Sequence, residues 1–522
     1  MRQPDPPPAA SPGGRPAVLA VAVRYPGGPA VTDNRARGGV LTAAGGRDAV
    51  FGLTALSPVP GARDPKLAER IAAAIESDIV RAGWPVGEVI GSEEQLMARY
   101  RVGRAVIREA VRLAEHRQIV RPRRGRGGGL VVVEPDLSAV TESLAIFLEY
   151  ARADLDDLLE ARTVLEIYSA AKAAASRPGA GQLAEFRQAA SAWPDCADPG
   201  AAGFHEAVAQ LSGNAALSLF IGATAVLTGR LGVPRPAGGS RGRAAGRPGH
   251  AAVAAAIAAG DPGRAGAQMR ADMVFLRQIT RRRGAPSAAP DASSQRPADA
   301  IAARIRREII DRGWPVGESL GFEAELMQRY GIGRAQFREA ARILENHSVV
   351  RMQRGAAGGM VISEPDGRAI VRAVSLYLTY RGMNTTHIRD LRAQLETATL
   401  RLAIERLTPA GVQRLKDVIE LERTWPDDDF PAVSHDLHAV IAELSGNLTL
   451  GLLQSIAMQL TAERLHSGDP LRVTEPPDAV RRAHEAIVQA IIARDVPRAL
   501  RRLEKHLGAI ARWTIESPAP RR

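Results

Sequence analysis

The stretch Gly83-Trp84-Pro85-Val86-Gly87-Glu88 occurs again 230 residues later, as Gly313-Trp314-Pro315-Val316-Gly317-Glu318. With that offset held without gaps, residues 83–136 and 313–366 are identical at 30 of 54 positions. A weaker similarity follows further along the chain, where Leu211-Ser212-Gly213-Asn214 matches Leu444-Ser445-Gly446-Asn447. The chain is therefore a tandem duplication, with repeats of about 220 residues that are too long for solenoid units and long enough for two domains each.

The sequence around the first copy predicts two helices. The apolar residues of the first one are spaced four apart, which is the spacing of one buried helix face: Leu67, Ile71, Ile75 and Ile79. This helix should end at Gly83. A second helix should begin at Ser92, because Ser92 and Gln95 form a capping-box pattern.

A third helix and a hairpin follow. The apolar spacing predicts a helix over 104–116, and two short strands at 119–121 and 130–133 then enclose the glycine-rich stretch 122–129. Helix, helix, turn, helix and hairpin is the order of a winged helix-turn-helix domain, whose third helix enters the major groove of DNA.

The second half of each repeat, at 138–282 and 368–516, carries helical periodicity and no convincing strand. We therefore expect a mainly α chain with two small α+β winged helix-turn-helix domains, each followed by an all-α helical bundle. The expected segments are a disordered tail at 1–62, winged helix-turn-helix domains at 63–136 and 298–366, helical domains at 137–282 and 367–516, and a linker at 283–297. Pro234 to Gly249 reads as a loop within the first helical domain.

Composition excludes several classes of protein. Cys196 is the only cysteine, so neither an internal disulfide nor a four-cysteine zinc site is available. No apolar run reaches the roughly 18 residues that span a bilayer, and the longest run near the start, at 18–23, lacks the flanks of a signal peptide. We expect a cytoplasmic protein without a membrane partner.

The net charge of +12 is concentrated in two segments. Residues 99–126 hold ten arginines and two glutamates, a net +8, and residues 329–356 hold six arginines and two glutamates, a net +4. The arginine-rich composition of a GC-rich genome would not place the whole excess on the two segments that are predicted to lie on DNA. The charge therefore favours DNA binding.

The third helices carry the candidate DNA contacts. Arg104 and Arg108 lie four residues apart on one helix face, which suits one contact to a guanine edge and one to a phosphate, and the same holds in the second copy for Arg334 and Arg338. Gln336 is suited to pair with adenine. The first copy has Val106 at that position, so we expect unequal half-site preferences. Two further arginines of the first copy are expected to be solvated: Arg112 and Arg117.

A series of motifs runs from Trp84-Pro85-Val86-Gly87 through Gly103-Arg104 and Arg108-Glu109-Ala110 to the segment 124–131, and it has a copy at 314–361. Both series resemble the GntR family of bacterial transcriptional regulators. The resemblance implies DNA contacts in the helix and the wing of each copy: Arg104, Arg108, Arg124, Gly125 and Arg126, and Arg334, Arg338, Arg354 and Gly355. The family usually has Ser or Thr before the helix-3 arginine, where Gly103 and Gly333 stand here. A glycine N-cap supplies no hydroxyl for a phosphate.

The second copy departs further from this pattern, because Phe322 replaces the capping Ser92 and the wing is less basic. We expect its DNA binding to be the weaker.

The helical halves resemble the FCD ligand domain of the FadR-like subfamily, which senses small carboxylates and often holds a divalent metal. Arg392 and Glu396 lie four apart with opposite charge, as Arg162 and Glu166 do in the first copy. Such pairs need no function in a helix. By resemblance, Arg392 and Glu396 are candidates for effector binding.

The family's metal motif is matched in the second repeat by His438, His484 and His506, which would hold Zn, Ni or Mn. Its aspartate position is occupied by Ser434. His435 and Asp436 are the neighbouring candidates to replace the missing ligand, but an offset of one residue turns a helical side chain by about 100°. In the first repeat the motif is represented by Ala201, His205, His250 and Asp272, and we expect those two histidines to be structural and the domain to be degenerate.

The sequence thus predicts a sequence-specific transcriptional regulator, expected to be a repressor, with double-stranded DNA and a small-molecule effector as partners. One chain should act as an intramolecular pseudo-dimer, and further homodimerisation stays open. Two alternatives are an architectural DNA-binding protein without sensing and a metal-dependent enzyme. The enzyme is disfavoured because no paired carboxylate, nucleophile or phosphate loop accompanies the histidines.

Overall fold

The computed structural model describes residues 67–123, 125, 128–192, 203–232, 248–282, 297–353, 359–365, 367–424, 436–466 and 477–513. The expected tail at 1–62 and all but the last residue of the linker at 283–297 lie outside the described residues, as does most of the stretch 234–249. The chain divides into two compact units. One contains the second winged-helix segment, and the other contains the first winged-helix segment and both helical domains.

Head 1, residues 67–136, is a three-helix domain with a three-stranded antiparallel sheet in the order β1-β3-β2. Its elements are α1 (Leu67–Arg81), β1 (Val89–Gly91), α2 (Glu93–Tyr100), α3 (Arg104–His116), β2 (Val120–Arg123) and β3 (Gly129–Val132). The predicted winged helix-turn-helix fold is confirmed, and α3 has the predicted bounds. Strand β1 was not predicted, because three residues are too few to show an alternating pattern.

The core of head 1 contains the predicted apolar helix face except at its start, where Leu67 is half exposed because it is the first residue of α1. Ile75, Ile79, Leu96 and Ile107 are almost fully removed from water, together with Val132 of the sheet. The capping box is present as well, since the Ser92 hydroxyl accepts from the Gln95 amide at 3.2 Å and the Gln95 side chain accepts from the Ser92 amide at 2.8 Å.

Helical domain 1 consists of seven described helices: α4 (Leu137–Tyr150), α5 (Leu155–Ala175), α6 (Ala180–Ala192), α7 (Gly203–Leu211), α8 (Ala215–Gly232), α9 (Pro248–Ala258) and α10 (Pro262–Arg282). The central helix α5 packs against α10, α8 and α7. Its buried face carries the ion pair Arg162–Glu166, both of whose side chains are essentially inaccessible to water.

Head 2, residues 297–364, repeats the fold of head 1, and its sheet has the equivalent order β4-β6-β5. Its elements are α11 (Pro297–Asp311), β4 (Ser319–Gly321), α12 (Glu323–Tyr330), α13 (Arg334–Asn346), β5 (Val350–Gln353) and β6 (Gly359–Ile362). Phe322 occupies the N-cap of α12, makes no side-chain capping bond and is half exposed. The predicted loss of the cap is confirmed.

Helical domain 2 is likewise built from seven described helices: α14 (Gly367–Tyr380), α15 (Thr385–Glu405), α16 (Pro409–Thr424), α17 (Asp436–Leu444), α18 (Leu448–His466), α19 (Pro477–Ile492) and α20 (Val496–Trp513). Helix α15 takes the central place that α5 has in the first domain. Within the described residues, no helix is long and apolar enough to cross a membrane.

The two helical domains pack on each other through matched contacts. Asn214 Nδ2 donates to the carbonyl of His387 at 3.0 Å, and the equivalent Asn447 Nδ2 donates to the carbonyl of Asp157 at 3.0 Å. Salt bridges cross the same interface from Lys172 to Asp390, at 2.8 Å, and from Arg406 to Glu160, at 3.0 Å. The two copies therefore meet as a pseudo-symmetric pair.

Replacing the capless Phe322 by serine should stabilise α12 by about 1 kcal/mol, because a serine hydroxyl at the N-cap accepts an otherwise unpaired backbone amide. Hydrogen exchange of the α12 amides should slow about fivefold in F322S. The matched control is S92A, in which exchange in α2 should become faster by a similar factor. Unchanged or faster α12 exchange in F322S would show that Phe322 contributes packing that outweighs the cap.

Candidate functional site

The arginines of the two third helices lie exposed on one helix face. In α3, Arg104 and Arg108 expose 60% and 64% of their side chains, and their Nε atoms lie 3.3 and 3.1 Å from one Glu93 oxygen. In α13, Arg334 and Arg338 lie 2.9 and 3.5 Å from Glu323. Exposed ion pairs of this kind contribute about 0–1 kcal/mol, so each glutamate orders the arginines without preventing contact to a phosphate or base.

The contacts of Glu93 and Glu323 with these arginines were not predicted from the sequence. Each glutamate is the first residue of the second helix, and it reaches across to the third helix of the same head. Both heads have glutamate at this position, and this identity between the copies was the feature of the sequence that indicated a shared role.

Gln336 does not point freely toward a base. Its side-chain oxygen accepts from the amide of Gly333 at 3.1 Å and so closes the start of α13. Gly103 and Gly333 are both N-caps without side-chain capping bonds, as predicted. An adenine contact would require Gln336 to release its bond to Gly333.

The remaining residues singled out in the sequence divide into three groups: Gly125, the wing residues outside the described part of the chain, and the two arginines expected to be solvated. Gly125 is described and has φ 101°, a conformation that favours glycine. Arg124, Arg126, Arg354 and Gly355 lie outside the described residues. Arg112 is exposed beside Glu109, as predicted, but the prediction for Arg117 is wrong, because it is buried against Glu76 and its side chain is only 15% exposed.

The three histidines of the second repeat converge in the core of helical domain 2. His438 of α17, His484 of α19 and His506 of α20 are all buried. His506 Nε2 lies 3.2 Å from His484 Nε2 and 3.3 Å from His438 Nε2. The sequence spacing therefore predicted a real cluster.

Buried carboxylates orient two of these imidazoles. Glu396 Oε2 lies 2.8 Å from His438 Nδ1, and both carboxylate oxygens of Glu422 lie 2.9 Å from His484 Nδ1. Because each carboxylate takes Nδ1, it directs Nε2 toward the middle of the cluster. Glu422 was not predicted as part of this site, because it lies 62 residues before its histidine on another helix.

The predicted effector residues Arg392 and Glu396 form a buried ion pair at the edge of this cluster. Burial alone would raise the pKa of Glu396, but the Arg392 guanidinium and the His438 imidazole hold it well below its usual value. Arg392 therefore places one cation beside the histidines.

Burial lowers the pKa of all three imidazoles, that of His484 to about 4. They are consequently uncharged at neutral pH, the form that binds a metal ion. Burial also raises the pKa of Glu422 to about 8. Burial and the nearby Glu422 raise the pKa of Asp436 to about 6. Asp436 is not among the residues whose ligand atoms cluster with the three histidines. Ser434 and His435 lie outside the described residues.

The geometry of the three histidines fits a divalent ion. Nitrogen ligands about 2.0–2.1 Å from a tetrahedral ion lie about 3.4 Å from one another. The observed Nε2 separations of 3.2 and 3.3 Å match that spacing. Three imidazoles leave a fourth position for water or a ligand atom, as in open metal sites.

The first repeat has a related centre. His205 and His250 were expected to be structural residues, but they lie together beside one carboxylate. Their Nε2 atoms are 3.8 and 3.4 Å, respectively, from Asp272 Oδ2. His205 Nδ1 lies 3.0 Å from Glu166, whose own partner is Arg162. Burial would raise the pKa of Glu166, but His205 and Arg162 lower it. Asp272 stands where the other repeat has His506.

Residues 67–130 and 297–358 match the family model described as bacterial regulatory proteins, gntR family, and residues 157–274 and 387–509 match that of the FCD domain. The HTH-type transcriptional repressor NanR of Enterobacter sp. (strain 638) is 29% identical over 223 residues, which are 41% of this chain and 84% of that protein. NanR of Cronobacter sakazakii is 29% identical over 217 residues, 40% of this chain and 82% of its own length. Among solved structures, Streptococcus agalactiae GntR is 22% identical with a TM-score of 0.32, and the match covers 41% of this chain and 99% of that one.

The winged-helix heads and the helical domains that follow them define a DNA-binding transcription regulator, and the matched families and relatives are regulators, not enzymes. The chain belongs to the GntR family. It carries two GntR-type DNA-binding domains and two FCD domains in tandem.

The histidine centre of helical domain 2 should bind Zn²⁺, Ni²⁺ or Mn²⁺, and isothermal titration calorimetry measures this directly. H484A should abolish binding at this centre and leave only the weaker binding expected of the first repeat's centre, because it removes one of three ligands. E422A should weaken binding about 10–100-fold, since it removes the side-chain oxygens that orient His484. H347A, in head 2, is the control and should bind as the unsubstituted protein does. Equal affinity in H484A and the unsubstituted protein would contradict the assignment.

Proposed function

We propose that this chain is a transcriptional repressor whose two heads read the two unequal halves of one operator. The observation that carries this proposal is the presence, in each head, of two exposed arginines on one face of the third helix. The relatives named NanR are HTH-type transcriptional repressors, which supports the direction of regulation.

Phosphate and base contacts have separate candidates. Arg104 and Arg334 are the first residues of the third helices, and residues at the start of a recognition helix contact base edges. Arg108 and Arg338, one turn later, suit phosphate contacts. The wing residues Arg124, Gly125 and Arg126, and Arg354 and Gly355, complete the proposed interface.

The two half-sites are proposed to differ in sequence and in affinity. Val106 offers only apolar contact, which suits a thymine methyl group, whereas Gln336 offers an amide that suits adenine. The contact by Gln336 requires the loss of its capping bond to Gly333, and head 2 also lacks the cap of α12. Head 2 should therefore bind the weaker half-site.

The pairing of the helical domains supports the action of one chain as a pseudo-dimer. The reciprocal contacts of Asn214 and Asn447 join the two repeats as two subunits of a symmetric dimer would be joined. A covalent link makes the second head's contact with DNA intramolecular, at a high effective concentration.

Helical domain 2 is proposed to regulate DNA affinity. Its three histidines would hold a divalent metal, which when bound supplies a Lewis-acidic position for an anionic ligand. Arg392 adds a guanidinium beside the histidines, where it is paired with Glu396. The metal and the guanidinium together suit a small carboxylate. Helical domain 1, with Asp272 in place of the third histidine, would bind metal more weakly.

Single substitutions of the two leading arginines should affect different halves of the operator. After selection of bound sequences from random DNA, R104A should lose about 1–3 kcal/mol of discrimination at one half-site and R334A at the other. The control R112A removes an exposed arginine of the same helix α3 and should keep both preferences. Loss of both half-sites in either variant would contradict separate reading, and weak discrimination in the unsubstituted protein would favour an architectural role.

Metal and small carboxylates should change operator affinity, measured by fluorescence anisotropy with each metal alone and with a panel of carboxylates. We expect a change of about 5–150-fold, the usual range for coupling between two sites. The change should be absent in H484A. Affinity that never varies with metal or carboxylate in the unsubstituted protein would reject the regulatory role and leave the DNA-binding proposal intact.

A further inference from the structure

Head 1 docks on α14, the first helix of helical domain 2, through one face of that helix. Three residues of α14 spaced four apart make the contact. Arg372 Nη2 lies 2.7 Å from a carboxylate oxygen of Glu76, and Leu376 belongs to the buried core of head 1. The ring of Tyr380 lies 5.5 Å from that of Trp84.

Glu76 is the centre of the charged part of this contact. It lies in α1, is 7% exposed, and contacts Arg117 of its own head as well as Arg372 of α14. A carboxylate removed from water to this extent requires cationic partners. The stability of this contact therefore depends strongly on a negative charge at position 76.

The equivalent helix of the first repeat, α4, keeps the apolar residues of this face and reverses the charge. Helices α4 and α14 have the same bounds within their repeats, 230 residues apart. At that offset Leu376 corresponds to Ile146 and Tyr380 corresponds to Tyr150. Arg372, however, corresponds to Glu142.

The head side shows the same reversal. Trp84 of head 1 corresponds to Trp314, so the aromatic contact residue is kept. Glu76 corresponds to Arg306, and its neighbour Arg117 corresponds to His347. Both members of the charged pair are thus inverted together between the copies, while the apolar members are not.

We propose that the Glu76–Arg372 pair is a specificity lock, which assigns α14 to a head with an acidic residue at position 76 and rejects a head with arginine there. The retained apolar contacts cannot distinguish the two copies. The charge can, because arginine at position 76 would face both Arg117 and Arg372. Docking of head 1 on its own α4 would likewise place Glu76 against Glu142, and like charges at a contact suppress wrong partners.

Hydrogen exchange of the full-length protein, read on peptides that cover α14, tests the lock. E76R gives head 1 the residue of the second copy, and α14 should exchange about tenfold faster as docking is lost. R372E, a change on the less buried side of the pair, should have the same effect. The control E76Q removes the attraction without adding repulsion and should have a smaller effect, about threefold.

The decisive variant is E76R/R117H/R372E, which carries the other copy's residue at all three positions. The lock predicts that α14 exchange returns to within about threefold of the unsubstituted protein. Peptides from α3 serve as the folding control for head 1 and should be unchanged throughout. Failure of the triple variant to restore protection, or unchanged α14 exchange in both single variants, would overturn the proposal.

Discussion

Three buried carboxylates organise much of this protein, because a charge removed from water must be paired. Glu76, Glu166 and Glu396 are each less than a tenth exposed, and each contacts two nitrogen-bearing side chains. At Glu166 and Glu396 one partner is an arginine of the same helix and the other is a histidine of the centre. At Glu76 both partners are arginines, one of which comes from another domain. The same physical requirement thus orients the clustered imidazoles and joins a winged-helix head to a helical domain.

The two copies have diverged both at the proposed functional positions and in the cores, where Ile107 corresponds to Phe337 and Ala114 to Leu344. The heads keep the same elements at the same offset, and the helical domains keep the buried arginine–glutamate pair. The differences include the proposed base-reading position, with Val106 against Gln336, and the proposed third ligand position, with Asp272 against His506. A covalent link between the copies permits such divergence, because neither copy has to pair with an identical one.

The winged-helix fold was predictable because its signals are local. The four-residue apolar spacing, the Ser92 capping box and the glycine-rich hairpin each specify one element from neighbouring residues. The histidine cluster was predictable only through the family's spacing, since His438, His484 and His506 come from three different helices. Glu422 and the docking of Arg372 on Glu76 were not predicted, because both join residues far apart in the sequence and depend on helix packing. Arg117 was misjudged for the same reason, since its own helix gives no sign of Glu76.

We propose that one chain supplies two unequal DNA-reading heads to a single operator. Native mass spectrometry of the chain with its selected operator duplex measures the stoichiometry directly. We expect one chain per duplex, with both heads engaged and no second chain bound at low micromolar protein. Two chains per duplex, each using one equivalent head, would contradict it.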